Sequence, residues 1–166
     1  MRVLGIDPSS QATGYGIIEC EKSRCRVLAH GIIKPSRRAP LAEKLNQIKS
    51  GVDLLIEKHD PEEVAIENPF YAQNLKTALT LGQVRGAVLV SVAGLGRPLF
   101  EYSALEIKKA VTGYGRAEKG QVNTMIRALL DVADEAIEED AADALACALC
   151  HVNTRLYQKT IEESQA

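Results

Sequence analysis

The sequence has 166 residues, enough for one domain with its own core and too few for two well-stabilised ones. A hydrophobic share of 46% and a charged share of 25% exclude a low-complexity or fibrous chain. A formal net charge of −2 offers no bulk attraction for nucleic acid, but residues 131–143 hold seven acids and no Lys or Arg, so the other 15 acids face 20 cations.

Residues 2–7 form an apolar run stopped at Asp7-Pro8, which predicts a buried strand ending in a turn. Residues 14–20 and 25–33 alternate as two further strands, joined as a hairpin by 21–24. A loop over 35–40 carries Arg37 and Arg38. Leu41, Leu45, Ile48, Val52, Leu55 and Ile56 share one helical face, and Asp60-Pro61 ends that helix. Residues 64–67 read as a short strand ending on Glu67. Residues 74–93 form a long apolar helix whose Gly82 and Gly86 would admit another backbone. Residues 98–102 read as a strand, and the capping box Ser103-Ala-Leu-Glu106 opens a helix over 104–112. Helices over 119–130 and 140–157 complete the chain. The expected fold is α/β, a mixed central sheet with helices on its faces, in one domain over 1–158 with a frayed tail over 159–166.

The opening residues do not read as a signal peptide, and no stretch reads as an uninterrupted run of about 20 apolar residues. A cytoplasmic protein with four reduced cysteines and no membrane contact is expected. Cys147-Ala-Leu-Cys150-His151 matches a haem-attachment pattern but falls within an amphipathic helix, so no haem is expected. Cys20 and Cys25 flank the hairpin turn and can come close, without a disulfide being expected.

Four carboxylates stand where solvation alone does not explain them. Asp7 and Glu67 end strands, where open α/β sheets gather function. Asp140 and Asp143 are three apart and share a helical face. Unpaired acids that converge repel one another unless a cation intervenes, and oxygen donors suit Mg²⁺ or Mn²⁺. Each acid also has a plain structural reading: a turn starter at Asp7, a capping pair at Asp140 and Asp143, an ion-pair partner at Glu67. Spacing alone does not show that the four converge.

Gly5-Ile6-Asp7-Pro8 with Thr13-Gly14-Tyr15-Gly16 resembles the first motif of the RuvC family of Holliday junction resolvases. Ala65-Ile66-Glu67 with Phe70 and Asn74 resembles the second, and Asp140-Ala-Ala-Asp143-Ala-Leu-Ala the last acidic one. Val84-Arg85-Gly86-Ala87, Ile107-Lys108, and Ala117-Glu118-Lys119 with Gln121-Val122 resemble intervening segments. The resemblance implies an RNase H-like fold and a homodimer that nicks two strands of a four-way DNA junction symmetrically. It implies two Mg²⁺ ions per subunit, replaceable by Mn²⁺, on Asp7, Glu67, Asp140 and Asp143. The ends left would be 5′-phosphate and 3′-hydroxyl. It also implies a branch-migration motor complex (RuvA–RuvB-like) as partner. Phe70 matches a position that stacks on a base, and Lys108 and Lys119 match basic residues near the scissile phosphate. Lys76 and Arg116 are further candidates for phosphate contact. Ser9 stands where the family commonly has glycine, and Pro69 precedes Phe70. Two other readings are an actin-like ATPase, which would need more glycine-rich phosphate loops and a longer chain, and a junction-binding protein that does not cut.

Overall fold

The computed structural model describes residues 1–21, 24–68, 74–132 and 136–165. The strands are β1 (Arg2–Asp7), β2 (Thr13–Glu21), β3 (Arg24–Ile33), β4 (Glu63–Asn68) and β5 (Leu99–Ser103). The helices are α1 (Leu41–His59), α2 (Leu75–Gly94), α3 (Ala104–Thr112), α4 (Lys119–Leu129) and α5 (Glu139–Gln165). They form one five-stranded sheet in the order β3-β2-β1-β4-β5. The meander β1-β2-β3 is antiparallel, with an irregularity between Ile17 and Ile18, whereas β4 and β5 run parallel to β1. The mixed sheet follows from the connections: a tight hairpin for the antiparallel pairs, a helix for each parallel return.

Alternation along the strands sorts the side chains into two cores. Leu4, Ile6, Ile17, Val64 and Ile66 face α1 and α2. Val3, Ile18, Ala65 and Tyr102 face α3, α4 and α5. Asp7 shares the parity of Val3 and Gly5, and Glu67 that of Glu63 and Ala65. Both acids therefore end strands on the α5 side.

α5 lies against the sheet more closely than side chains normally allow. A Cβ on Gly5 would run into the Ala144 carbonyl oxygen, and one on Gly14 into that of Asp140. The helix presents Ala141, Ala144 and Ala148 there, all buried. Near its middle His151 is fully buried, with Nδ1 2.7 Å from the Tyr102 hydroxyl and Nε2 2.5 Å from Glu63 Oε2. Arg155 also grips Glu63, its Nε donating to Oε2 at 3.0 Å, while its guanidinium lies 4.5 Å from the centre of the Phe100 ring.

Three sequence expectations change. α5 does not end at Tyr157; it remains helical to Gln165. Its last turns are exposed and held locally by contacts such as Thr160 Oγ1 donating to the Leu156 carbonyl at 2.9 Å. Cys20 and Cys25 are joined in a disulfide rather than reduced. The ladder sets them directly opposite one another with Cα atoms 4.1 Å apart, a register the sequence did not fix. Cys147 and Cys150 are free and buried. Finally, α2 is long and apolar enough by composition to cross a membrane, a match hidden in the sequence by Lys76 and Arg85. Its Val84, Val88 and Val92 are fully buried against the sheet and α1.

Candidate active site

The β1–β2 connection is closed by Thr13, whose buried hydroxyl donates to the Ser9 carbonyl at 2.6 Å and accepts from the Ser9 amide at 3.2 Å. That clip holds the turn immediately after Asp7. Gly14 pairs with Asp7 in the antiparallel ladder, and the Asp140 backbone rests on Gly14. The absence of a side chain at Gly14 thus brings the first turn of α5 to the end of β1. On the other side of β1, Glu67 is the penultimate residue of β4 and shares a cavity with Asp143, Lys108 and Lys119. The cavity's apolar wall is Ile107, Val122 and Ala146.

Electrostatics shows that the acids sense one another. Burial pushes the Asp7 carboxyl up to about 8, reinforced by repulsion from Glu67, Asp143 and Asp140 and opposed by Lys119. Glu67 is raised by burial and by Asp143, and Lys119 and Lys108 oppose the shift. Asp140 is also raised by burial; Lys119 opposes that shift, while Asp143, Glu139 and Glu138 add to it. Lys119 Nζ lies 2.9 Å from Asp143 Oδ2 and 2.6 Å from Glu139 Oε1. Burial alone would lower its pKa, but these two carboxylates hold it above the ordinary lysine range.

Four acids gathered around one contacting ammonium make a site short of positive charge. Its donors are all carboxylate oxygens, which suits a hard divalent cation. Among the described residues no three His, Cys, Asp or Glu side chains are already drawn in around one ion position. Asp143 is instead turned to Lys119.

The predicted residues divide accordingly. Asp7, Glu67, Asp140, Asp143, Lys108 and Lys119 converge. Lys76 is exposed in a separate cavity with Pro8, Ser9 and Thr77, reached along the β1–β2 loop. Arg116 is exposed between α3 and α4 and outside the acid cavity. Phe70 and Pro69 lie outside the described residues. Glu139, which anchors Lys119, was not anticipated. Its position four residues before Asp143 was a signal, but Lys119 is twenty residues away in sequence. Cys147 and Cys150 take no part: burial pushes the Cys150 thiol up to about 12 and Cys147 well above its usual value.

A sequence model of the family described as crossover junction endodeoxyribonuclease RuvC matches residues 3–151. The chain is similar to the crossover junction endodeoxyribonuclease RuvC of Magnetococcus marinus, with 45% identity across 96% of this chain and 88% of the relative. It is 47% identical to that of Halorhodospira halophila, across 93% of this chain and 91% of the relative. A solved structure of T. thermophilus RuvC in complex with Holliday junction substrate superposes with a TM-score of 0.90 at 31% identity, over 95% of this chain and 96% of that one. The architecture is RNase H-like.

Proposed function

This chain belongs to the RuvC family of crossover junction endodeoxyribonucleases, and from that membership we propose that it resolves four-way DNA junctions by metal-dependent nicking of two strands. It is a nuclease acting in recombination and repair. The observation that carries the reading is the strand-end cluster of Asp7, Glu67, Asp140 and Asp143 facing Lys108 and Lys119.

Asp7, Glu67, Asp140 and Asp143 would hold divalent cations, Mg²⁺ or Mn²⁺, two per subunit. When bound, such ions activate water and stabilise the charge that grows on phosphorus oxygens. The chain's own groups do the rest. Ile107, Val122 and Ala146 set an apolar wall beside these groups. Lys108 and Lys119 aim fixed positive charge into the cavity where a phosphodiester would gain negative charge. Phe70 would stack on a base at the junction, while Lys76 and Arg116 would meet phosphates. Cleavage that leaves 5′-phosphate and 3′-hydroxyl ends would let ligase seal both nicks. A branch-migration motor would deliver the junction, and the cytoplasm is where the protein would meet it. One folding unit carries all of these groups.

Symmetric cutting needs two subunits. α2 supplies a surface: Leu75, Leu79 and Val90 are 76%, 62% and 64% exposed, and Gly82 and Gly86 have open space where a side chain would stand. Spacings of 4, 3, 4 and 4 put these five on one helical face. A second copy of α2 would cover it. Sedimentation at micromolar concentration should show a dimer, and Leu79→Glu should shift it towards monomer; a wild-type monomer with and without DNA would rule the interface out.

The deciding assay is cleavage of a synthetic mobile four-way junction beside a linear duplex of matched sequence. Paired, ligatable nicks in the junction alone, and only with Mg²⁺ or Mn²⁺, are expected. Binding without cutting under either metal would instead identify a junction-binding protein.

A further inference from the structure

We propose that a pocket formed by Lys34, Arg37 and Lys44 seats the phosphodiester backbone of a DNA arm leading away from the carboxylate site; the proposal rests on the junction-resolving reading. The three cations reach one cavity from the end of β3, the following loop and the first turn of α1, and Ser10 and Gln11 of the β1–β2 loop close it. No acid lines it. None of the three cations has a carboxylate partner among the described residues.

Local structure engages the acid that precedes Lys44 on α1. The Ser36 amide donates to Gln47 Oε1 at 2.8 Å, which pins the loop to α1. Gln47 Nε2 in turn donates to Glu43 Oε1 at 3.1 Å, so one oxygen of Glu43 accepts from a neutral amide. Three unneutralised cations around one concavity repel each other, and a multidentate oxyanion relieves that repulsion with charge-assisted hydrogen bonds.

Position selects DNA as the source of the oxyanion. Ser10 and Gln11 also line the neighbouring cavity that contains Lys76. Ser10 is three residues beyond Asp7, within about 11 Å even if the chain were fully extended. Successive phosphates of one strand advance about 3.4 Å along the duplex axis. A strand held at the carboxylates therefore reaches Ser10 within a few nucleotides, and the two cavities flank its path.

The test measures junction and linear-duplex affinity by fluorescence anisotropy across a salt series, with divalent metal chelated. It compares the wild type with the Lys34→Ala/Arg37→Ala/Lys44→Ala triple variant. A control triple variant, Arg24→Ala/Lys58→Ala/Lys159→Ala, removes the same charge from exposed positions elsewhere. For the pocket variant the slope of log K against log salt should flatten by about 1 or more, with affinity at moderate salt falling roughly tenfold. The control should keep the wild-type slope, and all three proteins should keep the same circular dichroism. A pocket variant with the control's slope overturns the proposal. So does displacement of nothing but inorganic phosphate, with millimolar phosphate binding the wild type and not the pocket variant while DNA slopes agree. A wild type without junction preference would sink the resolvase reading instead, and the slope difference on duplex would still be readable.

Discussion

Asp7→Asn protein binds a four-way junction as tightly as the wild type and cuts it at least about a hundredfold more slowly. A hundredfold is about 2.7 kcal/mol of transition-state stabilisation, a modest share of what a metal ligand at the reacting phosphate supplies. Side-by-side anisotropy and single-turnover cleavage in Mg²⁺ measure both quantities, and wild-type cutting by the variant would remove Asp7 from the site. The same substitution should stabilise the metal-free protein. The folded state holds a proton on Asp7 up to about pH 8, whereas the unfolded chain releases it near pH 4. Stability from this group is therefore complete below about pH 4 and is lost as the pH rises through about 8. Asn carries no such titration. One pKa unit corresponds to about 1.4 kcal/mol. Even a quarter of the shift surviving relaxation would place the variant's Tm roughly 3 °C above the wild type at pH 8 in chelator. Added Mg²⁺ should reverse that order by binding the wild-type folded state more tightly. Equal melting curves for the two proteins at pH 8 would mean that Asp7 is not held protonated.

Gly14→Ala should be among the most damaging single-methyl changes available to the chain. The added Cβ meets backbone, the Asp140 carbonyl, and has no flexible side chain to push aside. Relief requires α5 to lift from β1 and β2, which separates Asp140 and Asp143 from Asp7 and opens a fully buried layer. Overpacking of this kind costs roughly 1–3 kcal/mol or more, so Tm should fall by at least about 3–9 °C. Cleavage should fall further than stability alone explains, read at a temperature where both proteins are folded. Gly120→Ala is the contrast: open space surrounds the position within α4, and the exchange should raise stability by about 0.5–1 kcal/mol. A neutral Gly14→Ala would show that α5 does not rest on the sheet at that point.

The order of elements was legible because each has a local cause. The apolar run at β1, the alternation at β2, the 3–4 spacing along α1 and the Ser103–Glu106 box write their structure into neighbouring residues. In the box, the Ser103 amide donates to Glu106 Oε2 at 2.7 Å. The candidate site was legible in part: its acids read as strand ends and one helix start, but their convergence was implied only by the family resemblance, because it depends on the parallel register of β1 and β4. Long-range pairings were not legible. Nothing near Lys119 names Glu139 as its partner, nothing near His151 names Glu63, and the opposition of Cys20 to Cys25 depends on a hairpin register that a one-residue slip would destroy. The end of α5 was also misjudged, since proximity to a terminus says little when side-chain bonds continue from turn to turn.

His151 lies eleven residues beyond Asp140 on the same helix, about 16 Å along its axis. Seen mechanically, α5 is a beam pinned near its middle, where His151 and Arg155 hold Glu63 and His151 meets Tyr102, and seated on the sheet again at the tip that carries two of the four acids. A clamp fixes inclination as well as position. The rotation about Glu63 that a looser joint would allow grows along the rod into displacement at the tip, where alignment matters most. Glu63 and Glu67 belong to one short strand, so the beam's mounting and the target of its tip are machined from the same piece.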